Sequence, residues 1–263
     1  YNHIDDTSVV LLGKAFVNNK RLKALNIGSN PEITAIGWRD FFGLLQWSKC
    51  SLESLDLSYN RICGNDVALM VDVLTNFSSV KTLHLPNNRF ITNAGWQRVS
   101  SLLQQPDSSL ENLFLNSDHN GNSINDEVVF DFANALANNT SLKTLQLGSN
   151  YTLTRGWDAL ENTLCDKSRN INSIFESNHT LQNCGCGSPD VVTLYLQLNE
   201  NDNKNAVIRQ KILRHVLDGD GNIQEIIEMD LKLQPLVIAW TGKDNSGRSL
   251  LYSLLRGMPS IFG

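Results

Sequence analysis

One apolar pattern, LxxLxLxxN, recurs along the first two thirds of the chain, and it constrains the fold more than any other feature. Five copies open with Leu22, Leu52, Val80, Leu110 and Leu142. A sixth copy begins at Ile171 and Ile174 but fails at Glu176, where an inward apolar residue is expected. Successive copies begin about 30 residues apart, which is the size of one strand and one helix.

The spacing within each copy predicts how a unit folds. Apolar residues at every second position indicate a short strand with one buried face. The Asn that ends the pattern can turn its carboxamide inward and satisfy backbone groups where the chain leaves the strand. The remaining ~20 residues of each unit have helical spacing. Because one strand and one helix cannot bury their own apolar faces, we expect stacked units with a parallel sheet inside and helices outside.

These units resemble leucine-rich repeats of the ribonuclease-inhibitor-like subclass, and the resemblance covers residues 1–180. It implies an α/β fold, a curved leucine-rich-repeat solenoid. It also implies a non-catalytic protein–protein interaction scaffold. Within the class, a GTPase-activating or regulatory protein and an extracellular recognition domain remain as alternatives.

The pattern also predicts the domain organisation. We expect about six repeat units over residues 1–180, the first truncated, with further repeats upstream of residue 1. A four-residue insertion, residues 117–120, delays the Asn of the fourth unit to Asn122. Residues 181–188, rich in Gly and Cys, are expected to form a linker loop. Residues 189–263 are expected to form an α-helical C-terminal cap, with Lys204–Leu217 as its clearest amphipathic helix.

A second periodicity shows that neighbouring units differ. Thr34, Thr92 and Thr154 each precede a Gly-Trp pair and are natural helix N-caps, whereas Asp6, Asp66 and Asp126 recur once in every two units, near the start of the other helices. We expect the Trp side chains to pack between helices. The residue after each opening apolar residue alternates in charge, which predicts a ladder of opposite charges along the sheet: Lys23, Glu53, Lys81, Glu111 and Lys143.

Composition narrows the class of partner and compartment. A net charge of −5 disfavours nucleic-acid binding, which needs clustered Lys and Arg. No apolar run approaches the ~18 residues of a membrane span. The five cysteines lack the spacing of a disulfide framework, so we expect a reducing, cytoplasmic compartment. Five N-glycosylation motifs occur, about as many as chance provides, and do not decide the question.

No arrangement of side chains predicts catalysis, so we expect no catalytic residue, no cofactor and no metal. Residues 242–249 match the spacing of a phosphate loop, but Arg248 stands where the loop requires Lys. Asp118, Asn122 and Asp126 supply oxygens in a calcium-like spacing without the central Gly and the final Glu of a calcium loop. Both motifs are more typical of ordinary turns.

The expected binding surface follows from strand geometry, because the residues that alternate with the buried ones face the concave side. Outward aromatic residues on a polar sheet are the usual anchors of an interface, so we expect another protein, of unknown identity, to bind there. Phe114 beside His84, together with the insertion, is the expected centre. The full set of expected contact residues is Asp56, Tyr59, His84, Asn87, Phe114, Asn116, Gln146 and Phe175.

Overall fold

The computed structural model describes most of residues 3–217, together with Val237 and Ala239. Its gaps are 48–50, 77–78, 106, 119–120, 149, 151–153, 168–170 and 186. The part of the expected C-terminal cap that follows Leu217, including the phosphate-loop match at 242–249, lies outside the described residues apart from positions 237 and 239.

Five short parallel strands form one sheet in sequence order, which is the topology of a repeat solenoid. The strands are β1 (Ala24–Asn26), β2 (Ser54–Asp56), β3 (Thr82–His84), β4 (Asn112–Phe114) and β5 (Thr144–Gln146). Each pairs with the next without a register shift, and Leu55, Leu83, Leu113 and Leu145 are fully buried. The expected fold, a curved leucine-rich-repeat solenoid of the α/β class, is confirmed.

One helix follows each strand and covers the apolar side of the sheet. In chain order the repeat helices are α1 (Asp6–Phe16), α2 (Ala35–Leu45), α3 (Gly64–Asn76), α4 (Asn93–Ser100), α5 (Asp126–Leu136) and α6 (Arg155–Leu164). A 3₁₀ turn, Ser101–Gln104, extends α4. Trp38 and Trp96 are fully buried and Trp157 nearly so, so the repeated Trp residues belong to the core rather than to an exposed surface.

A ladder of asparagines supports the turn after each strand. Nδ2 of Asn60 donates to the carbonyls of Ile27 and Leu57, both at 3.0 Å, so one side chain joins two neighbouring units. Nδ2 of Asn122 makes the equivalent bonds in the fourth unit, which confirms that the insertion delays the Asn rather than removing it. Because these carbonyls are buried, each carboxamide satisfies acceptors that water cannot reach.

The sixth unit departs from the expectation. Ile171–Glu176 forms helix α7, not a strand. The sheet gains its sixth rung at the residues expected to be a linker, where Asn183 bridges to Thr144 in parallel and Leu145 N donates to the Asn183 carbonyl at 2.8 Å. Leu181 and Cys184 are buried there and take the inward positions that Leu142 and Leu145 hold in the fifth unit. Cys in place of Leu, and an additional helix before the strand, hide this copy of the pattern.

Two longer helices follow, α8 (Asp190–Asn199) and α9 (Lys204–Leu217). Helix α8 packs on α6, and α9 packs on α7 and α8. Val192, Tyr195, Leu196 and Asn199 are buried at helical spacing. The bounds of α9 are those that the amphipathic pattern predicts, whereas the cap as a domain over residues 189–263 stays a prediction.

Candidate interaction surface on the concave face

The register of the sheet brings one row of predicted contact residues together. Cα pairing aligns Asn26, Asp56, His84, Phe114 and Gln146 across the five strands. Each follows an inward-facing Leu by one position, so its side chain projects from the opposite, concave side of the sheet. We call this set the central row. Its members come from five successive repeat units, so residues that are distant in sequence become neighbours.

The middle of the central row is an aromatic stack. The imidazole of His84 lies parallel to the phenyl ring of Phe114, with ring centroids 4.3 Å apart and an interplanar angle of 1°. This stack forms because adjacent strands hold the two side chains at a spacing close to that of stacked rings. Within the described part of the chain, neither imidazole nitrogen makes a hydrogen bond, so both are available to a partner.

The ends of the central row are already hydrogen-bonded. Asn26 Nδ2 donates to Asp56 Oδ2 at 2.9 Å, and Asp56 Oδ1 accepts from the backbone N and hydroxyl of Ser58. On the other side, Gln146 Nε2 donates to Asn183 Oδ1 at 3.0 Å. These internal bonds hold the polar side chains in place, so the stack between them lies on a preorganised polar surface.

Asp118, in the insertion, contacts two earlier units at the edge of the sheet. Asp118 accepts a hydrogen bond from the Tyr59 hydroxyl at 2.5 Å and one from Asn87 Nδ2 at 3.4 Å, while its own backbone N donates to Asn87 Oδ1 at 2.9 Å. One residue of the fourth unit therefore contacts the second and third units. Tyr59 has a left-handed backbone, φ 56°, which is uncommon for a bulky residue and is held here by the neighbouring contacts. Asn116 is half-buried beside this edge.

Phe175 does not belong to this surface, and its placement on a sixth strand was wrong. It lies in helix α7, and Gly185 holds the position in the sixth rung that Gln146 holds in the fifth. The carbonyl of Phe175 instead accepts from Nε2 of His179, which belongs to the helical end of the molecule. The other seven predicted residues lie on the concave face or its edge.

The predicted charge ladder lies beside the central row. Lys23 Nζ is 2.5 Å from Glu53, Lys143 Nζ is 2.9 Å from Glu111, and Lys81 Nζ is 3.9 Å from Glu111. The hydrogen bond and charge of Lys23, and more weakly the charge of Lys81, hold the pKa of the Glu53 carboxyl below its usual value. The ladder therefore places alternating charges at the start of the strands, although exposed pairs add little stability.

The calcium-like spacing does not form a common site. Asp118 accepts from the Tyr59 hydroxyl, Asn122 Oδ1 accepts from Asn88 N at 2.6 Å, and Asp126 Oδ1 accepts from Gly156 N at 2.7 Å. Their oxygens serve three separate structural bonds. In the part of the chain that the structure describes, three or more His, Cys, Asp or Glu side chains do not gather where they could hold a metal. None of the described helices combines the length and apolar character that a membrane crossing requires.

Asp126 shows what the two-unit periodicity does. Its carboxylate holds the first turn of the next helix, α6, and Asp6 likewise accepts from the backbone N and the hydroxyl of Thr34 at 2.7 Å each. Thr34 and Thr92 cap α2 and α4 as expected, but Thr154 makes no side-chain cap bond. Asp6 and Asp126 are therefore structural links between units, whereas Asp66 Oδ2 accepts from the backbone N of Cys63 in its own unit.

Comparison with known proteins places the repeats among related sequences without assigning a family. No family model matches the chain. The chain is 28% identical over 211 residues to NACHT, LRR and PYD domains-containing protein 14 of Mus musculus; the match covers 80% of this chain and 20% of that protein. Among solved structures, the tropomodulin C-terminal domain of Caenorhabditis elegans aligns with a TM-score of 0.44 and 12% identity, over 81% of this chain and 98% of that one.

Proposed function

We propose that the chain is a non-catalytic interaction module that binds another protein through its concave face. The observation that carries this proposal is the His84–Phe114 stack at the centre of the central row. Aromatic side chains that keep a polar handle are enriched at the centres of protein interfaces. The hydrogen-bonded ends of the row supply polar groups on both sides of that centre.

The proposal extends to the class and compartment of the protein. Repeat units of about 30 residues, with a helix in each, support the ribonuclease-inhibitor-like subclass. A reducing, cytoplasmic compartment is supported by the buried, unpaired thiols of Cys165 and Cys184. It is also supported by Asn139 and Asn178, whose glycan-accepting Nδ2 atoms donate to buried carbonyls. Intact mass of the protein from its native source, showing neither glycan nor disulfide, is the expected result; finding either would favour the extracellular alternative.

The concave site is tested by affinity capture with two matched double variants. The first, His84→Ala with Phe114→Ala, removes the stack. The second, His3→Ala with Phe130→Ala, removes the same residue types from exposed positions outside the sheet. Both should retain the wild-type melting temperature to within a few degrees. Proteins captured by wild type are then identified by mass spectrometry.

We expect a partner that the second variant retains and the first loses. Its dissociation constant, measured by titration with the purified partner, should weaken by about 10-fold or more in the first variant, because truncating a central anchor costs about 2 kcal/mol. Equal binding by both variants would move the site away from the central row. Stimulation of GTP hydrolysis by a captured GTPase would instead favour the regulatory alternative.

A further inference from the structure

A partly enclosed apolar cavity lies at the opposite edge of the sheet from the insertion. It has a volume of about 230 Å³ and lies between the C-terminal end of α3 and the 3₁₀ turn. Leu74, Val80, Leu102 and Leu110 form its walls and Leu83 its floor. Val80 and Leu110 are each 5% exposed, whereas Leu52 and Leu142 at the same repeat position are 1% and 0% exposed. The cavity therefore reaches the apolar core at this inter-unit junction.

Unequal helix lengths produce this opening. Helix α3 has 13 residues, whereas α4 has 8 and continues only as a tight 3₁₀ turn of 4 residues. The last turn of α3, which carries Leu74 and Thr75, consequently lacks a full α-helical neighbour.

The cavity size sets the size of the group that fits. A dry cavity of roughly 150 Å³ holds one benzene ring, and drug-sized ligands need roughly 300 Å³ or more. At about 230 Å³ this cavity fits one large side chain, such as an indole or a branched aliphatic group. An anchor side chain of a polypeptide is therefore a better match than a complete metabolite.

Polar groups extend from the cavity mouth in a continuous groove. A second cavity of about 430 Å³ shares Gln105 and Ser108 with the first and continues towards α5. Gln104, Asn134 and Asn138 line it, and none of these carboxamides is hydrogen-bonded to another described residue. A carboxamide offers both a donor and an acceptor, which is what an extended peptide backbone requires.

The charge at the cavity mouth determines which residues can flank the anchor side chain in a bound peptide. Asp107 is exposed and is the charged side chain among the described residues that line the apolar cavity. A basic residue next to the anchor would be attracted to this carboxylate, and an acidic one repelled.

We propose that this groove is a second binding site, and that it takes an extended segment of a partner protein in which one large apolar side chain is flanked by basic residues. The anchor fills the cavity between α3 and the 3₁₀ turn, the backbone lies along the carboxamide-lined groove, and the basic side chain faces Asp107. The site is separate from the concave face, so the two proposals succeed or fail independently.

The test uses three blocked tripeptides as probes and methyl NMR of the full chain. Acetyl-Lys-Trp-Lys-amide should shift the methyl signals of Leu74, Leu102 and Leu110 with a dissociation constant on the order of 1 mM, as one anchor residue supplies. Acetyl-Glu-Trp-Glu-amide should bind at least about threefold more weakly, since an exposed charge pair contributes under about 1 kcal/mol. Acetyl-Lys-Ala-Lys-amide should not shift these signals.

Two variants and a control keep the test specific. Thr75→Trp places an indole at the cavity from an exposed helix position and should abolish binding of both Trp-containing peptides. Asp107→Asn should make the Lys and Glu peptides bind equally. Asp72→Asn changes net charge by the same amount at an exposed site outside the cavity lining, and should leave the threefold preference intact. If Thr75→Trp does not fold, the comparison of Asp107→Asn with Asp72→Asn still tests the proposal.

The proposal is overturned if the Lys-Trp-Lys peptide, added well above its expected dissociation constant, leaves the cavity methyls unshifted. It is also overturned if a folded Thr75→Trp variant binds that peptide as tightly as wild type does, or if Asp107→Asn and Asp72→Asn have the same effect.

Discussion

Nζ of Lys211 on α9 donates a hydrogen bond to Nδ1 of His179, at 3.1 Å, in the interior between the helical end and the last repeat. The tautomer follows from the neighbours: Nε2 of His179 faces the Phe175 carbonyl at 3.1 Å, so Nε2 carries the proton and Nδ1 accepts. Lys211 is fully buried and also donates to the carbonyls of Leu164, at 2.6 Å, and Asn178, at 3.0 Å. Since Leu164 ends α6, the ammonium joins α9 to the C-terminus of a repeat helix.

This pair predicts that the protein loses stability as pH falls from 6.5 to 4.5. Burial, together with the nearby charge of Lys211, lowers the pKa of His179 from 6.5 to about 4. The unfolded chain therefore binds a proton in this interval that the folded chain excludes, which favours unfolding. His179→Gln keeps an acceptor and a donor but does not titrate. Relative to this variant, the wild-type free energy of unfolding should fall by up to about 2 kcal/mol across the interval. Urea denaturation measures it, and parallel pH profiles would contradict the assignment.

The buried Lys211 predicts that the free energy of unfolding changes with pH above 7. Burial lowers its pKa from 10.5 to about 7. Above pH 7 the folded chain gives up this proton while the unfolded chain keeps it, so wild-type stability should rise between pH 7 and 8.5, by about 1–2 kcal/mol. Lys211→Met should remove this rise, and Lys14→Met, at an exposed helix position, should keep it. The interval stops at 8.5 because burial raises the pKa of the Cys165 thiol, which would oppose the trend at higher pH. Identical slopes in wild type and Lys211→Met would refute this prediction.

The asparagine ladder predicts a large loss of stability when one rung is removed. Asn88 Nδ2 donates to the carbonyls of Leu57 and Leu85, and both would lose a buried donor in Asn88→Ala. We expect a loss of about 2–4 kcal/mol in the free energy of unfolding. Asn65→Ala changes an exposed helix position and should stay within about 0.5 kcal/mol of wild type. Denaturant titration compares the two, and a loss below about 1 kcal/mol for Asn88→Ala would show that other donors or water replace the side chain.

The charge ladder predicts that reversal is worse than neutralisation. Lys81 stands between Glu53 and Glu111, so Lys81→Ala removes a weak exposed attraction and should change stability by less than about 0.5 kcal/mol. Lys81→Glu would place three carboxylates on adjacent strands and should be destabilising by about 1 kcal/mol at low salt. The difference between the two variants should shrink at about 1 M NaCl, where charges are strongly screened. Equal melting temperatures at low salt would remove the ladder as a contributor to the stacking order.

The fold follows closely from local patterns, because the leucine spacing is repeated in register. Asn122 could be recognised as the ladder residue of the fourth unit, and Thr34 and Thr92 as helix caps, because these roles depend on near neighbours in sequence. The sixth rung was not identified in the sequence because Cys184 replaces a leucine and because α7 separates this rung from the fifth unit. Asn178 carried a usable signal: it precedes Leu181 by three positions, as Asn139 precedes Leu142, and both accept backbone N–H groups in the same way.

The residues of the concave face could be predicted from the sequence about as well as the fold. Strand alternation by itself brought His84 and Phe114 onto one row, but only the register of the sheet showed that their rings lie parallel at 4.3 Å. The contact of Tyr59 with Asp118 depends on how the insertion folds across two units, which no local pattern specifies.

Periodicity within about thirty residues predicts the repeat architecture, the strand and helix order of the first five units and the residues of the central row. The remaining features depend on how distant parts of the chain pack. Lys211 is buried because α9 meets carbonyls left open at the end of α6 and at Asn178. The apolar cavity exists because α3 is longer than α4, the helix of the next unit. Both features depend on which backbone carbonyls lack a donor and which spaces stay empty after elements distant in sequence have packed. They are therefore properties of the folded chain as a whole.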